Sequence, residues 1–230
     1  MQLVEIRGIG VSGKKASGKA FVYEKKVMHY HCALNIKPQL EKERLMQIIQ
    51  AAEEDIISMK EIVKLDDENC SGIFESHKWL LEDKDLQQYV LDLIDQGYDL
   101  LSALVRTKED MKIHFLNMKN ELFRSKVTDI EDVFERLIDI ETGYSEKIIY
   151  PKTPFILICD EILPSLVYQI STDYLKGIIV RFGSNCSSGT LLARTRNIPV
   201  IIRIKNRVEK IENNQRLTMN GESGTIYIID

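Results

Sequence analysis

Residues 183–194, GSNCSSGTLLAR, place small and hydroxyl-bearing residues directly before an apolar stretch, and a strand-like segment at 177–181 precedes them. Small side chains let backbone N–H groups approach an anion, and the start of a helix adds a partial positive charge. The predicted anion pocket comprises Gly183, Ser184, Asn185, Cys186, Ser187, Ser188, Thr190 and Arg194. A plain strand-to-helix turn accounts for the same composition equally well, so both interpretations stay open on the loop alone.

A nucleophile for such a loop is not evident. The four histidines, at positions 29, 31, 77 and 114, all lie far from the loop in sequence. Cys186 is a possible nucleophile, but no neighbouring residue in the sequence would activate its thiol. The loop matches neither a Walker phosphate-binding loop, which needs Gly-Lys-Ser/Thr, nor the G-x-G-x-x-G dinucleotide fingerprint.

His29, His31 and Cys32 form a second cluster of possible ligands. Alternate residues of a strand point to the same side, so the two imidazoles could contact one metal ion. The sequence offers no convincing distant fourth ligand. We therefore interpret this stretch as a polar edge segment and predict no metal site.

Composition and charge argue against two classes of function. Lys and Arg number 31 against 35 Asp and Glu, for a net charge of −4, so the chain lacks the basic surplus of a nucleic-acid binder. The sequence contains no run of 18 apolar residues that would predict a membrane span, and its first residues, MQLVEIRGIG, are unlike a signal peptide. The four cysteines are widely spaced without a C-x-x-C motif, which favours a reduced, cytoplasmic protein.

The middle of the chain has helical periodicity, and both ends have strand-like runs. One apolar stripe steps by four and three residues through Leu45, Ile49, Ala52, Ile56, Met59 and Val63, and another through Met111, Phe115, Met118 and Leu122. Short β-branched or apolar runs lie at 3–6, 19–23, 148–150, 155–159, 178–180, 200–202 and 225–229. The predicted class is α/β, with residues 1–25 and 146–230 forming one domain and residues 26–145 forming an inserted all-helical subdomain of two antiparallel hairpins.

Several segments resemble one known family in order and spacing. They are the glycine-rich segments at 8–12 and 18–20, Ile73–His77 with Leu80–Asp83 and Leu86, Thr128–Val133 with Arg136 and Leu137, Pro164 with Ser165, and then Gly177, Gly183, Ala193, Arg194, Pro199, Gly221 and Gly224. Together they resemble the N-terminal half of Enzyme I, the phosphoenolpyruvate–protein phosphotransferase that starts the bacterial sugar phosphotransferase system.

The resemblance implies a fold and a partner. The fold would be a swivelling phosphohistidine-type α/β domain whose inserted four-helix subdomain docks a histidine-containing phosphocarrier protein. In that family a C-terminal barrel binds phosphoenolpyruvate, uses magnesium and drives dimerisation, and these 230 residues lack it. We therefore expect a monomer that needs no cofactor and does not use phosphoenolpyruvate alone, whether the chain is a natural protein or a piece of one.

The resemblance also identifies departures in the loop. The family's phosphate-carrying histidine is replaced by Ser188, and the threonine that orients this histidine is replaced by Val167. Other family residues, namely a glycine, an arginine, a threonine and an aspartate, are replaced by Ser184, Asn185, Gly189 and Glu161. A neutral imidazole is nucleophilic near pH 7 whereas a serine hydroxyl is barely ionised, so we expect no catalytic residue here.

The positions that the family uses for partner binding are better kept. They are Phe74, His77, Trp79, Leu80, Leu86 and Lys126. Phe74 and Leu81 fit a helix core equally well, and His77 is better explained as a structural histidine than as a proton carrier. Lys126 and Glu131 stand where the family has arginines, which could alter partner preference.

Three functions therefore remain open from the sequence. The first is an Enzyme I-like domain that binds a phosphocarrier without transferring phosphate. The second is the N-terminal part of a working phosphotransferase that uses Ser188 or Cys186. The third is a binding module that senses a free anion or a nucleotide.

Overall fold

The chain divides into two compact units in a computed structural model that describes residues 3–23, 36–66, 71–143 and 150–229. The sheet unit comprises Met1–Lys26 and Ile148–Asp230, and the helical unit comprises Val27–Lys147. The helical unit is thus an insertion within the sequence of the sheet unit.

The sheet unit is built on one mixed sheet of eight strands. Its strands are β1 Leu3–Arg7, β2 Ile9–Gly10, β3 Lys15–Val22, β4 Phe155–Cys159, β5 Leu175–Val180, β6 Val200–Ile202, β7 Arg216–Asn220 and β8 Thr225–Ile229, in the order β1-β8-β7-β3-β4-β5-β6-β2. Strands β3, β4, β5 and β6 are parallel, and all other neighbours are antiparallel. Within the described residues of this unit, three short helices accompany the sheet: α7 Pro164–Gln169, α8 Ser188–Thr195 and a 3₁₀ helix at Lys205–Lys210.

Strand β4, within the parallel part of the sheet, is covered on both faces. All five residues of β4, FILIC, are buried, as expected for a parallel strand packed on both faces. Only Gly8 separates β1 from β2, although these two strands lie at opposite ends of the strand order. Because one residue spans at most about 3.8 Å between successive Cα atoms, the sheet must curve until its two ends come together.

The helical unit contains six helices within its described part. They are α1 Pro38–Asp66, α2 Ser71–Glu82, α3 Lys84–Asp95, α4 Leu100–Leu116, α5 Glu121–Arg124 and α6 Val127–Thr142. The predicted stripe on α1 forms core, with Leu45, Ile49, Ala52 and Ile56 buried. Asp83 separates α2 from α3 by accepting a hydrogen bond from the Leu86 N–H at 3.0 Å.

Some predicted elements differ from the structure. The stripe from Met111 to Leu122 is wrong as a single helix, because α4 ends at Leu116 and Asn120 starts α5 by accepting from the Leu122 N–H at 2.9 Å. Five described helices have 12 or more residues instead of four, and strands β2 and β7 were not predicted. The predicted strand at 148–150 lies outside the described residues except for Tyr150, which is in no strand.

Across the described ranges, no helix combines the length and the apolar character that crossing a bilayer requires.

Candidate functional site

The loop at 183–187 joins β5 to α8 and closes on itself through short-range hydrogen bonds. The carbonyl oxygen of Ser184 accepts from the N–H of Ser187 at 3.3 Å and from its hydroxyl at 3.1 Å. The hydroxyl oxygen of Ser184 accepts from the Cys186 N–H at 3.2 Å. Helix α8 then begins at Ser188. Ser184, Cys186 and Ser187 therefore use polar groups in hydrogen bonds within the loop itself.

Three of the predicted pocket residues turn inward. Ser187 is 2% exposed, Ser188 is 5% exposed and Thr190 is fully buried. The Ser187 hydroxyl also lies 2.9 Å from the Thr190 hydroxyl, which forms a buried hydrogen bond. These three side chains therefore complete the start of α8, and anion binding by this loop stays a prediction.

Gly189 brings the backbone of α8 close to Ile162. A Cβ atom at this position would lie 2.7 Å from the carbonyl carbon of Ile162 and closer still to its oxygen. Real Cβ atoms do not make contacts this short, so the backbone of α8 fits against Ile162 only when residue 189 has no side chain. Any larger side chain at this position, such as the threonine expected in relatives, would clash with Ile162 unless the backbone moved.

Val167 and Glu161 support the loop from the segment after β4. Val167 lies in α7 and is fully buried, and its carbonyl oxygen accepts from the Arg196 guanidinium at 2.6 Å. The Glu161 carboxylate accepts from the Gly183 N–H at 3.2 Å. The first contact ties α7 to the residue after α8, and the second ties the start of the loop to the segment after β4. The Val167 side chain carries no hydroxyl.

The two described cysteines lie in contrasting environments. Cys159 is buried at the end of β4, and this burial raises the pKa of its thiol well above the ordinary value, with Glu161 and Asp160 adding to the effect. Cys186 is exposed in the loop. Of these two, Cys186 alone is accessible to a reagent or a donor.

A cleft of about 510 Å³ lies next to the loop, within the sheet unit. Two of the predicted pocket residues, Asn185 and Arg194, line it. The remaining lining comes from the segment 10–14, from Asn197 and Ile198, and from Gly221 and Glu222. The Arg194 guanidinium donates to the Asn185 side-chain oxygen at 3.4 Å, and the Lys14 ammonium donates to that of Asn197 at 3.2 Å.

Sequence reasoning missed the residues that complete this cleft. Lys14 follows a Ser-Gly turn, and Asn197 follows the apolar run of α8. An asparagine just after a helix is a recognisable capping signal, and Asn197 has the left-handed φ of 58° that this signal predicts. Nothing in the sequence, however, brings Lys14 to Asn197, because the strand pairing that joins these regions is long-range.

The predicted partner-binding residues separate into exposed and buried sets. Trp79 is 63% exposed, and Leu80, Leu86 and Lys126 are half-buried. Phe74 and His77 are fully buried on the inner side of α2. Their assignment as contact residues is therefore corrected, since a side chain without exposed surface supports a docking face only from beneath.

His77 lies in a buried polar cluster of the helical unit. Its Nε2 is 3.5 Å from an Asp129 carboxylate oxygen, and its Nδ1 is 3.9 Å from an Asp132 carboxylate oxygen. Lys126 donates to the other oxygen of Asp129 at 2.9 Å. Lys126, one of the predicted surface contacts, thus also neutralises a buried carboxylate.

Metal ligation is not indicated in the described ranges, where no group of three or more His, Cys, Asp or Glu side chains could hold an ion. The cluster of His29, His31 and Cys32 lies outside the described residues.

The curved mixed sheet, the helical insertion between β3 and β4 and the small-residue loop before α8 define the class of protein. The N-terminal domain profile of PEP-utilising enzymes matches residues 7–126, and the profile of their mobile domain matches residues 151–224. The chain belongs to the family of PEP-utilising enzymes.

Individual relatives agree with this assignment. The phosphoenolpyruvate-protein phosphotransferase of Mycoplasma genitalium is 26% identical over 226 residues, which cover 96% of this chain and 40% of that protein. The enzyme of the same name from Bacillus subtilis is 25% identical over 231 residues, covering 97% and 40%. The phosphoryl donor subunit of the PEP-dependent dihydroxyacetone kinase of Klebsiella michiganensis is 27% identical over 160 residues, covering 69% and 34%.

The chain therefore spans 40% of the length of the first two of these relatives. Among solved structures, the N-terminal domain of Enzyme 1 - Nitrogen matches with a TM-score of 0.60 at 19% identity, covering 97% of this chain and 93% of that one. Enzyme I (nEIt) matches with a TM-score of 0.68 at 20% identity, covering 97% and 92%. These matches confirm the predicted resemblance at the level of family and mixed α/β fold.

Proposed function

We propose that this chain is an Enzyme I-like domain of the phosphoenolpyruvate-dependent sugar phosphotransferase system that docks a histidine-containing phosphocarrier-like protein but does not relay a phosphoryl group. In this proposal, residues 1–25 and 146–230 form the phosphohistidine-like domain, and residues 26–145 form the docking subdomain. We also propose that the chain acts as a monomer in the cytoplasm.

The packing of Gly189 against Ile162 is the main observation that supports the proposed lack of phosphoryl relay. A phosphohistidine relay needs an exposed imidazole and a hydroxyl that orients it, whereas residue 188 is a serine with 5% of its surface exposed. Gly189 leaves no room for a hydroxyl-bearing side chain, and the buried Val167 carries no hydroxyl, so the loop is expected to differ from a working site at several positions.

Exposure of the α2–α3 region supports docking. Trp79 has 63% of its surface exposed on α2, and Leu80 and Leu86 are partly exposed on either side of the α2–α3 junction at Asp83. An exposed tryptophan with flanking leucines is the kind of anchor that dominates binding energy in protein interfaces. Phe74, on the buried side of α2, anchors the helix that presents these residues.

Docking is tested by titrating ¹⁵N-labelled chain with an unphosphorylated histidine-containing phosphocarrier. We expect amide shifts around Trp79 and Leu86, and we expect Trp79→Ala and Leu86→Ala each to weaken binding by about fivefold or more. Ile113→Ala is a matched control, because Ile113 is 57% exposed on α4 and is not part of the proposed surface. Titration without shifts near Trp79 would end the docking proposal.

Relay is tested by incubating the chain with phosphorylated phosphocarrier and mapping adducts by mass spectrometry. We expect no phosphoryl adduct within residues 183–194. A stable adduct on Ser188 or Cys186 would instead favour a working phosphotransferase with a different nucleophile, for which the exposed Cys186 is the accessible candidate.

The variant Ser188→His distinguishes two explanations for a missing phosphoryl relay, namely loss of one side chain and remodelling of the whole loop. Since the positions that would orient the imidazole are occupied by Gly189 and Val167, we expect this substitution alone to leave phosphoryl uptake below that of a relative with an intact loop. Uptake restored to the level of that relative would show that Ser188 is the only barrier, contrary to the proposal.

A further inference from the structure

We propose that the cleft beside the loop binds a small anion through its phosphoryl group. The cleft lies within the sheet unit and has a volume of about 510 Å³, which is in the range of small-molecule sites. The segment 10–14, Arg194 and Asn197 on the C-terminal side of α8, and the turn that carries Glu222 form its walls. This site does not depend on partner docking by the helical unit.

Each of the two cations of the cleft donates to an uncharged acceptor. Lys14 donates to the side-chain oxygen of Asn197 at 3.2 Å, and Arg194 donates to that of Asn185 at 3.4 Å. Both acceptors are neutral amides, and within the described part of the chain neither cation forms an ion pair. Glu222 contributes the one carboxylate among the lining residues, so the cleft carries an excess of positive charge. A phosphoryl dianion would offset this excess through charge-assisted hydrogen bonds.

The wall that carries Lys14 is fixed by backbone hydrogen bonds. The Ser12 N–H donates to the Gly221 carbonyl at 3.0 Å, and the Gly221 N–H donates to the Lys14 carbonyl at 2.8 Å. The Ser12 hydroxyl oxygen also accepts from the Val200 N–H at 2.9 Å. A Cβ atom at residue 221 would lie 2.7 Å from the Ser12 carbonyl oxygen, so glycine is what permits this contact. This wall is already ordered before a ligand binds, so binding loses little conformational entropy there.

The opposite wall is fixed by the end of α8. The Asn197 N–H donates to the Arg194 carbonyl at 2.9 Å, and the Ile198 N–H donates to the Ala193 carbonyl at 2.9 Å. These bonds fix the backbone of Asn197 against the last turn of α8, which carries Arg194. The side-chain oxygen of Asn197 in turn accepts from Lys14. An anion that accepts hydrogen bonds from the Lys14 ammonium and the Arg194 guanidinium would release the side-chain amides of Asn185 and Asn197. These amides would then be available to bond to hydroxyl or ester oxygens of the ligand.

The neighbouring loop is less suited to hold the anion. Ser187, Ser188 and Thr190 are buried, and the Ser187 and Thr190 hydroxyls bond to each other. The anion chemistry expected from the sequence is therefore assigned to the adjacent cleft, with Arg194 and Asn185 shared between the predicted pocket and this site.

The test is an amide-shift titration of the ¹⁵N-labelled full chain with inorganic phosphate and, separately, with glycerol 2-phosphate, at constant ionic strength. We expect saturable shifts at residues 10–14, 197 and 221 with at least one of the two probes, and the two arms distinguish free phosphate from a phosphate ester. Lys14→Met and Arg194→Met are each expected to weaken binding about tenfold or more, because each removes a hydrogen bond from a charged donor.

Lys15→Met is the matched control, since Lys15 is exposed next to Lys14 but does not line the cleft. This variant should bind the probe as the parent does. The proposal would be overturned if neither probe gave a saturable shift up to ~20 mM, a concentration well above the millimolar Kd of a weak site. It would also be overturned by shifts that chloride or glycerol reproduces, by shifts that survive both substitutions, or by occupancy of the cleft only by a phosphorylated protein.

Discussion

Gly189 is the residue at which one additional carbon atom should matter most. Gly189→Ala would place a methyl group against the backbone of Ile162, where neither partner can rotate away. Overpacking costs about 1–3 kcal/mol, which exceeds the gain of up to about 1 kcal/mol from better helix propensity. We therefore expect a net loss of stability, measured as a lower urea midpoint at unchanged slope.

Gly13→Ala is the control for this substitution. A Cβ atom at residue 13 meets no atom within 4 Å. Its stability should change by less than about 0.5 kcal/mol, as is usual at open surface positions. Equal stability of the two variants would mean that the α8 contact adapts freely, and the argument for a remodelled loop would lose its basis.

The chemistry of the candidate site was only partly predictable at the level of residues. The sequence identified the loop, and the family resemblance identified Ser188 and Val167 as departures. Burial of Ser187 and Thr190 was not predictable, because which hydroxyls face inward depends on how α8 packs against Ile162. The same limit applied to His77 and Phe74, for which a contact role and a structural role both stayed open, since a short helical motif does not reveal which side is covered.

At the scale of elements, α4 depends on a cap supplied by another helix. Asp99 is the N-cap residue of α4, and its carboxylate accepts from the Ser102 N–H at 2.7 Å. A second acceptor comes from α1, where the Glu41 carboxylate accepts from the Leu100 N–H at 2.8 Å in a buried setting. Arg44 holds this carboxylate at 3.2 Å and also pairs with Glu141 on α6. One side chain therefore ties the starts of two helices together.

Glu41→Ala should destabilise the helical unit. The substitution leaves the Leu100 N–H without its acceptor and the Arg44 guanidinium with one carboxylate fewer, and losses of this kind cost about 1–3 kcal/mol. Glu43→Ala is the matched control, because Glu43 lies exposed on the same helix and accepts only from Gln39 in the described part of the chain. Urea unfolding followed by circular dichroism at 222 nm measures both, and a control as destabilised as Glu41→Ala would contradict the cap.

Elements with strong local signals were predicted well, and those set by tertiary context were not. The α1 stripe and the Asp83 cap are local, because each is defined within a few turns of one helix. Strand β7 has mixed polarity, RLTMN, and becomes a strand through pairing with β3 and β8. The end of α4 was missed because apolar spacing continued beyond Asn117, although Leu122 is 57% exposed and packs little.

At the scale of the whole molecule, the sheet joins the two ends of the described chain. Strand β8 pairs with β1 on one side, at Ile6 and Ile226, and with β7 on the other, at Met219 and Ile226. All three of these side chains are buried in one core. Stability of the first strand is therefore expected to depend on residues near position 226.

Ile226→Ala should test this dependence. Removing a fully buried isoleucine side chain costs about 2–5 kcal/mol, and we expect amides of β1 and β7 to lose hydrogen-exchange protection together. Tyr227→Phe serves as the control, because it removes only a hydroxyl at the next, half-buried position. Loss of protection confined to β8 would show that the three strands do not behave as one cooperative unit.

The pairing of β1 with β8 also has a consequence for biosynthesis. On a ribosome the segment Leu3–Arg7 emerges long before its partner Thr225–Ile229. The nascent chain must keep the apolar side chains of that first segment out of wrong contacts while more than 200 residues are translated, which takes about 10–40 s at ordinary elongation rates. The inserted helices can fold in this interval from contacts within their own unit, so the last strand to be translated decides when the sheet becomes complete.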